Sequence, residues 1–208
     1  VSPATRRTLR LAGAGRGAAA AAALAVSSAL GVAGCATGIA ASTPASNGQS
    51  FVAGSPGTTE FKSGTGPVAP SVSGPVVGGG RLALASYRGH VVVLNFWGSW
   101  CTPCRAEAPS LSALATAFKS SGVRFLGIDI RDSPATAEAF MSDFRITYPS
   151  LNDPSDNLAL DFRDTVPPTG IPTTLVISPS GRISARVIGE ASYDELKSLI
   201  RRAAAEPG

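Results

Sequence analysis

The chain of 208 residues carries 18 lysines and arginines against 14 aspartates and glutamates, with one histidine and three cysteines. Four of the arginines, Arg6, Arg7, Arg10 and Arg16, lie in the first 16 residues, where no acidic residue stands, and from Cys35 onward 14 basic residues face 14 acidic ones. The high overall pI is therefore a property of the N-terminus and gives no reason to expect a nucleic-acid partner.

After the arginines, the stretch from Gly17 to Gly34 is uncharged and dominated by alanine. That is the build of an export signal, too weakly apolar for a membrane span. It ends in Val32-Ala33-Gly34-Cys35, which resembles the lipobox of bacterial lipoproteins. Residues 1–34 are accordingly expected to be a lipoprotein signal peptide, and Cys35 the lipid attachment that holds the protein to the outer face of the cytoplasmic membrane. The alternative is ordinary signal cleavage beside an incidental cysteine. Thr5-Arg6-Arg7-Thr8-Leu9-Arg10 also loosely resembles a twin-arginine signal, so the export route stays open. Residues 35–75, rich in Gly, Ser, Thr, Ala and Pro, read as a flexible tether, because such a tract buries too little apolar surface to offset its ordering entropy. One or two short strands are expected there, around Phe51 and Phe61.

Residues 76–205 are enough for one domain with its own core. Val76-Val77 and Arg81 to Leu84, split by Gly78-Gly79-Gly80, predict a hairpin, and Val91 to Trp97 predicts a strand covered on both faces. A helix should run from about Pro103 to Ser120, with Pro103 tolerated in its first turn and Pro109 bending it. Val123 to Ile130 reads as a strand, Ser133-Pro134 opens a helix through about Phe144, and Leu158 to Phe162 form a short helical turn. Thr173 to Ile177 and Ile183 to Ile188 pair across the turn Ser178-Pro179-Ser180-Gly181-Arg182, and Tyr193 to Ala204 closes the chain with a helix. The fold class is α/β: a mixed central sheet with helices on both faces.

The chemistry concentrates in Trp100-Cys101-Thr102-Pro103-Cys104, directly after the buried strand. Two thiols three residues apart at a strand-to-helix junction can close a small disulfide ring, with the first sulfur on the positive end of the helix dipole. A thiolate there can attack a disulfide, and the second thiol resolves the mixed intermediate. A C-x-x-C pair is otherwise half of a zinc site or a plain bridge. Zinc needs four ligands, and the remaining candidates are His90 and the distant Cys35, so no metal is expected. The redox-active disulfide itself takes the place of a cofactor.

The chain is similar to the membrane-tethered thioredoxin-like proteins of the TlpA and ResA type. The similarity runs from about Tyr87 to Leu199 and rests on Tyr87-Arg88-Gly89, Val93-Leu94-Asn95-Phe96-Trp97, Trp100 to Pro109, Gly127-Ile128-Asp129 and Gly170-Ile171-Pro172-Thr173-Thr174. It implies a thioredoxin-like fold with an inserted helix at about 134–145, and extracytoplasmic thiol-disulfide exchange with cysteine-containing clients. A membrane thiol reductant or oxidant is implied as electron partner. One departure is His90, where the family usually carries lysine.

By position, Cys101 is the attacking thiol and Cys104 the more buried, resolving one. Pro103 removes a backbone donor from the thiolate's surroundings, which argues against an extreme oxidant. By resemblance, Trp100 flanks the sulfur and shapes the docking surface, and Ile171-Pro172 is a cis-proline loop whose backbone pairs with an extended client segment. The resemblance also places Glu107 close to the dithiol, exchanging protons with it. The alternative is a solvated helix carboxylate paired with Arg105. Asn95 stands where cytoplasmic thioredoxins keep a buried aspartate, which leaves Glu107 as the substitute acid.

Three other classes compete. A peroxidase of peroxiredoxin type has its nucleophile in a Thr-x-x-Cys turn, whereas Thr102 falls between the cysteines. A copper chaperone needs C-x-x-x-C and a distant histidine. A binding domain with an inert disulfide is the third. The TlpA and ResA resemblance implies a reductant, with an oxidant of exported proteins as the alternative; both directions use the same side chains.

Overall fold

The computed structural model describes residues 51–53, 57–166 and 170–207, and its elements follow the expected order, with the first strand of the expected hairpin at Ser73–Pro75 instead of Val76-Val77 and two larger differences. The strands are β1 (Phe51–Ala53), β2 (Thr58–Phe61), β3 (Ser73–Pro75), β4 (Arg81–Ala83), β5 (Val92–Trp97), β6 (Arg124–Ile130), β7 (Ser150–Asp153), β8 (Thr173–Ile177) and β9 (Ile183–Ile188). The helices are α1 (Thr102–Ala117), α2 (Pro134–Asp143), the single turn α3 (Asn157–Leu160) and α4 (Tyr193–Ala204). Seven strands form one sheet in the order β1-β2-β9-β8-β5-β6-β7, and β3 and β4 make a separate hairpin. Strands β5, β6 and β7 run parallel, while β8, β9, β2 and β1 continue the sheet antiparallel. This is a mixed sheet of thioredoxin-like topology.

Alternation along β5 sorts the two layers. Val91, Val93 and the odd-numbered neighbours pack with Leu111 and Leu114 of α1 and Leu196, Leu199 and Ile200 of α4. Farther along that face Trp97 stacks on Phe140 of α2, ring centroids 4.5 Å apart. Val92, Leu94 and Phe96 point the other way, against Ala69, Val72, Leu84, Leu151 and Phe162. Among the described residues this second face carries only short helical turns, α3 and a 3-10 turn at Leu84–Tyr87, and is covered mainly by the segment around Ala69–Leu84 and by the loop after α3.

That covering segment corrects the expected tether at 35–75. Ala69 and Val72 are buried in the core, and β2 pairs with β9. The sequence signal misled because small residues there serve close approach: a Cβ on Gly66 would stand 1.8 Å from the Ile183 carbonyl oxygen. The ordered domain begins no later than Gly57. Residues 1–50, with the signal peptide, Cys35 and the start of the tether, lie outside the described residues, as do Pro167 and Pro168.

Strand β7 is the second difference, because Ser-Leu-Asn-Asp shows one apolar residue and no pattern. It exists because β6 offers a free parallel edge and Leu151 fills the core completely. Its first residue explains Gly127 too. A Cβ on Gly127 would lie 2.2 Å from Ser150 Oγ and 2.6 Å from Trp97 Nε1, so glycine lets Trp97 lie flat across β6 and donate to Ser150 at 3.3 Å. Among the described residues no helix is long and apolar enough to cross a membrane.

Candidate active site

Cys101 caps the N-terminus of α1, its sulfur accepting from the Cys104 N–H at 3.2 Å, and the two cysteines are joined as a disulfide. The cap places the first sulfur at the end of α1 where free N–H groups concentrate partial positive charge, which favours a thiolate when the bond opens. Cys101 is 5% exposed and Cys104 2%. Both sit in a small cluster with Val77, Trp97, Ala108, Ala137 and Phe140, against which Ile171 also packs. Pro103 is exposed at the second position of α1, and Trp100 stands beside it, 51% exposed.

Across from the helix end, the Ile171-Pro172 peptide bond is cis. Pro172 is buried and its carbonyl accepts from Gly189 at 2.8 Å, which ties the loop to the end of β9. Ile171 touches both the dithiol cluster and the opposite core. From it a groove runs along Phe96, Ile130, Leu160 and Val166, with Arg131 and Arg163 on its rim.

Glu107, one turn beyond Cys104 on α1, is 1% exposed. A solvated carboxylate paired with Arg105 is thereby ruled out; the Arg105 guanidinium instead lies 5.2 Å over the Phe144 ring. Oε1 of Glu107 accepts from Asn95 Nδ2 at 2.7 Å, and Oε2 accepts from the Ala191 N–H at 3.2 Å. Asn95 donates also to Thr174 Oγ1 at 3.0 Å. Burial pushes the Glu107 carboxyl up to about 7, against the downward pull of the hydrogen bonds from Ala191 and Asn95, while Glu190 adds an upward push. A buried acid poised near neutrality is suited to taking up and releasing a proton.

The sequence brings Trp100, Cys101, Pro103, Cys104 and Glu107 together along one loop and helix, and the fold adds Ile171 and Pro172 across from them. Ala191 and Thr174 were not legible as partners, since a backbone N–H and a strand threonine carry no motif. Among the described residues no group of three His, Cys, Asp or Glu side chains is placed to hold a metal.

A disulfide at the capped start of a helix, set against a cis-proline loop that leads into the interior strand β8 of a mixed sheet, defines a thioredoxin-fold redox protein. Residues 65–186 match the AhpC/TSA family, and the chain belongs to that family. It is 34% identical over 126 residues to the thiol-disulfide oxidoreductase ResA of Bacillus subtilis, spanning 59% of this chain and 68% of that one. It is 34% identical over 113 residues to the thiol:disulfide interchange protein HelX of Rhodobacter capsulatus, spanning 54% and 60%. Among solved structures, a secreted thiol-disulfide isomerase from Corynebacterium glutamicum superposes with a TM-score of 0.68 at 28% identity, over 76% of this chain and 100% of that one. A DsbF homologue from Corynebacterium diphtheriae gives 0.67 at 30%, over 74% and 98%. With such relatives and this site, the protein is a thiol-disulfide oxidoreductase.

Proposed function

We infer that the protein works outside the cytoplasm as a reductant of client disulfides, tethered to the membrane through Cys35. The observation that supports this reading most is the buried Glu107, one turn beyond Cys104 on α1. A carboxyl that becomes negative near neutral pH opposes a stable thiolate above it, and a dithiol whose thiolate is poorly stabilised gives up its electrons more readily. Pro103 works in the same direction.

In the forward reaction the Cys101 thiolate attacks a client disulfide, forming a mixed disulfide and releasing one client sulfur as a thiolate that takes up a proton. Cys104 then loses its proton to Glu107 and attacks Cys101 Sγ, releasing the second client sulfur. Two electrons pass to the client and the Cys101-Cys104 disulfide remains. A membrane thiol reductant returns the electrons. The groove beyond Ile171 seats the client as an extended segment beside cis-Pro172. Clients of the kind the TlpA and ResA resemblance implies are apocytochrome haem-binding cysteines and copper-site cysteines.

The secreted isomerase and the DsbF homologue, which this chain covers almost end to end, favour a second reading as an oxidant or isomerase of exported proteins. The reduction potential separates them. A value near about −270 mV is expected for the reductant, and one near about −120 mV would reverse the direction, a gap of ~7 kcal/mol for two electrons. Equilibration with a glutathione or dithiothreitol series gives the number.

The tether has its own test. Cys35→Ala is expected to release the protein from the membrane fraction or to block its processing, because stable anchoring needs more than one acyl chain or a spanning helix. Unchanged fractionation and processing would remove the lipid anchor from the reading.

A further inference from the structure

The loop Gly98–Trp100, between β5 and Cys101, is held from β6. Ser99 donates to Asp132 twice, its N–H to Oδ2 at 2.6 Å and its hydroxyl to Oδ1 at 2.8 Å. Trp100 donates Nε1–H to the Ile130 carbonyl at 3.4 Å. Asp132 is 6% exposed, so both oxygens of a buried carboxylate are committed to a residue two positions before Cys101.

Behind Asp132 lies Asp129, with no exposure. Its Oδ2 accepts from Asn152 at 2.9 Å, while Oδ1 is buried and finds no donor among the described residues. The charged groups acting on Asp129 are Asp132, which is within hydrogen-bonding reach, and Asp153 of β7, both acidic. Neighbouring Arg131 is turned to Asp156 instead. A proton on Asp129 Oδ1 resolves the arrangement: the orphaned atom becomes a donor to Asp132, and one of two adjacent charges disappears. Burial first, then the contact with Asp132, pushes this carboxyl up to about 8.

We propose that Asp132, backed by a proton-carrying Asp129, is a positioning residue for the dithiol. It fixes the Ser99–Trp100 loop from which α1 starts, and it keeps a negative charge against Ser99, two positions before Cys101 in the chain. That charge opposes the Cys101 thiolate and so destabilises the reduced protein relative to the disulfide. The assignment rests on Cys101 being the attacking thiol.

The test uses the full chain. Asp132→Asn is expected to favour the reduced form about tenfold in glutathione equilibration, an upward shift of ~30 mV, and to move the alkylation midpoint of Cys101 to lower pH. Asp129→Asn, whose amide donates where the proton stood, is expected to match the wild type in both at pH 7. A folded Asp132→Asn protein with wild-type equilibrium and alkylation overturns the proposal, as does an Asp129→Asn protein shifted as far as Asp132→Asn. Should Asp132→Asn not fold, hydrogen exchange in the wild type decides: the Ser99 amide is expected to exchange at least about a hundredfold slower than an open loop amide. Exchange at the open-loop rate overturns the lock. Peptide mapping of the alkylated sulfur keeps this test separate from the assignment of Cys101, because a misassigned attacker labels first at Cys104 in every variant.

Discussion

Cys104→Ser is expected to accumulate disulfide-linked client adducts through Cys101 in its native compartment, at a level about tenfold or more above Cys101→Ser. The argument is geometric. Cys101 sits at the cap of α1, where the free N–H groups of the first turn favour its thiolate, and it follows the exposed Trp100 directly in the chain. Cys104 lies one turn inward and is the more enclosed of two nearly buried sulfurs. With serine at 104 the first attack proceeds and nothing inside the protein expels the client, so the adduct persists. With serine at 101 the remaining thiol is beneath the surface. Release of the adducts by reductant and mass spectrometry of the freed proteins then tells a narrow set of apocytochrome or copper-site clients from a broad set of folding proteins. Equal trapping by the two variants would reverse the roles, and no adduct from either would leave the disulfide an inert bridge.

The parts of this molecule that were legible in its sequence are those where chemistry or periodicity acts over a few residues. Val91 to Trp97 announces a buried strand by composition and Ser133-Pro134 announces a helix start, where the structure has Ser133 accepting from the Thr136 N–H. Cys104 and Glu107 stand three residues apart on one helix, so spacing alone puts them on one face. What stayed hidden depends on distant pairing. Strand β7 is recruited by the open edge of β6, and residues 57–75 order because the apolar face of β5 and β8 needs a cover that helices do not supply. Glycine and serine in that stretch have the composition of a linker, yet Gly66 is there so that two backbones can meet. The Asp132 clasp on Ser99 was hidden for a related reason: its partners are 33 residues apart and neither belongs to a recognisable motif.

The proton-carrying role of Glu107 has a stability signature as well as a kinetic one. In the folded protein burial raises this carboxyl to about 7, against an ordinary value of 4.5, so the unfolded chain gives up the proton first as pH rises. The stabilising contribution is therefore complete below about pH 4.5 and is lost as pH climbs through 7, a loss approaching ~3 kcal/mol at alkaline pH. Glutamine cannot ionise. Denaturant unfolding of the oxidised proteins is expected to show the wild type losing stability between pH 5 and pH 8, and Glu107→Gln losing less over the same interval, whatever the offset between them at pH 5. In the reduced proteins the same change should alter thiol chemistry, because the carboxylate that appears near pH 7 opposes ionisation of the thiols above it. Alkylation of the dithiol in Glu107→Gln is expected to rise at lower pH than in the wild type and to follow a single ionisation more closely, since one of the coupled groups is gone. Parallel stability profiles together with superimposable alkylation curves would mean that Glu107 is held neutral throughout by its burial, a structural acid with no part in moving the proton from Cys104.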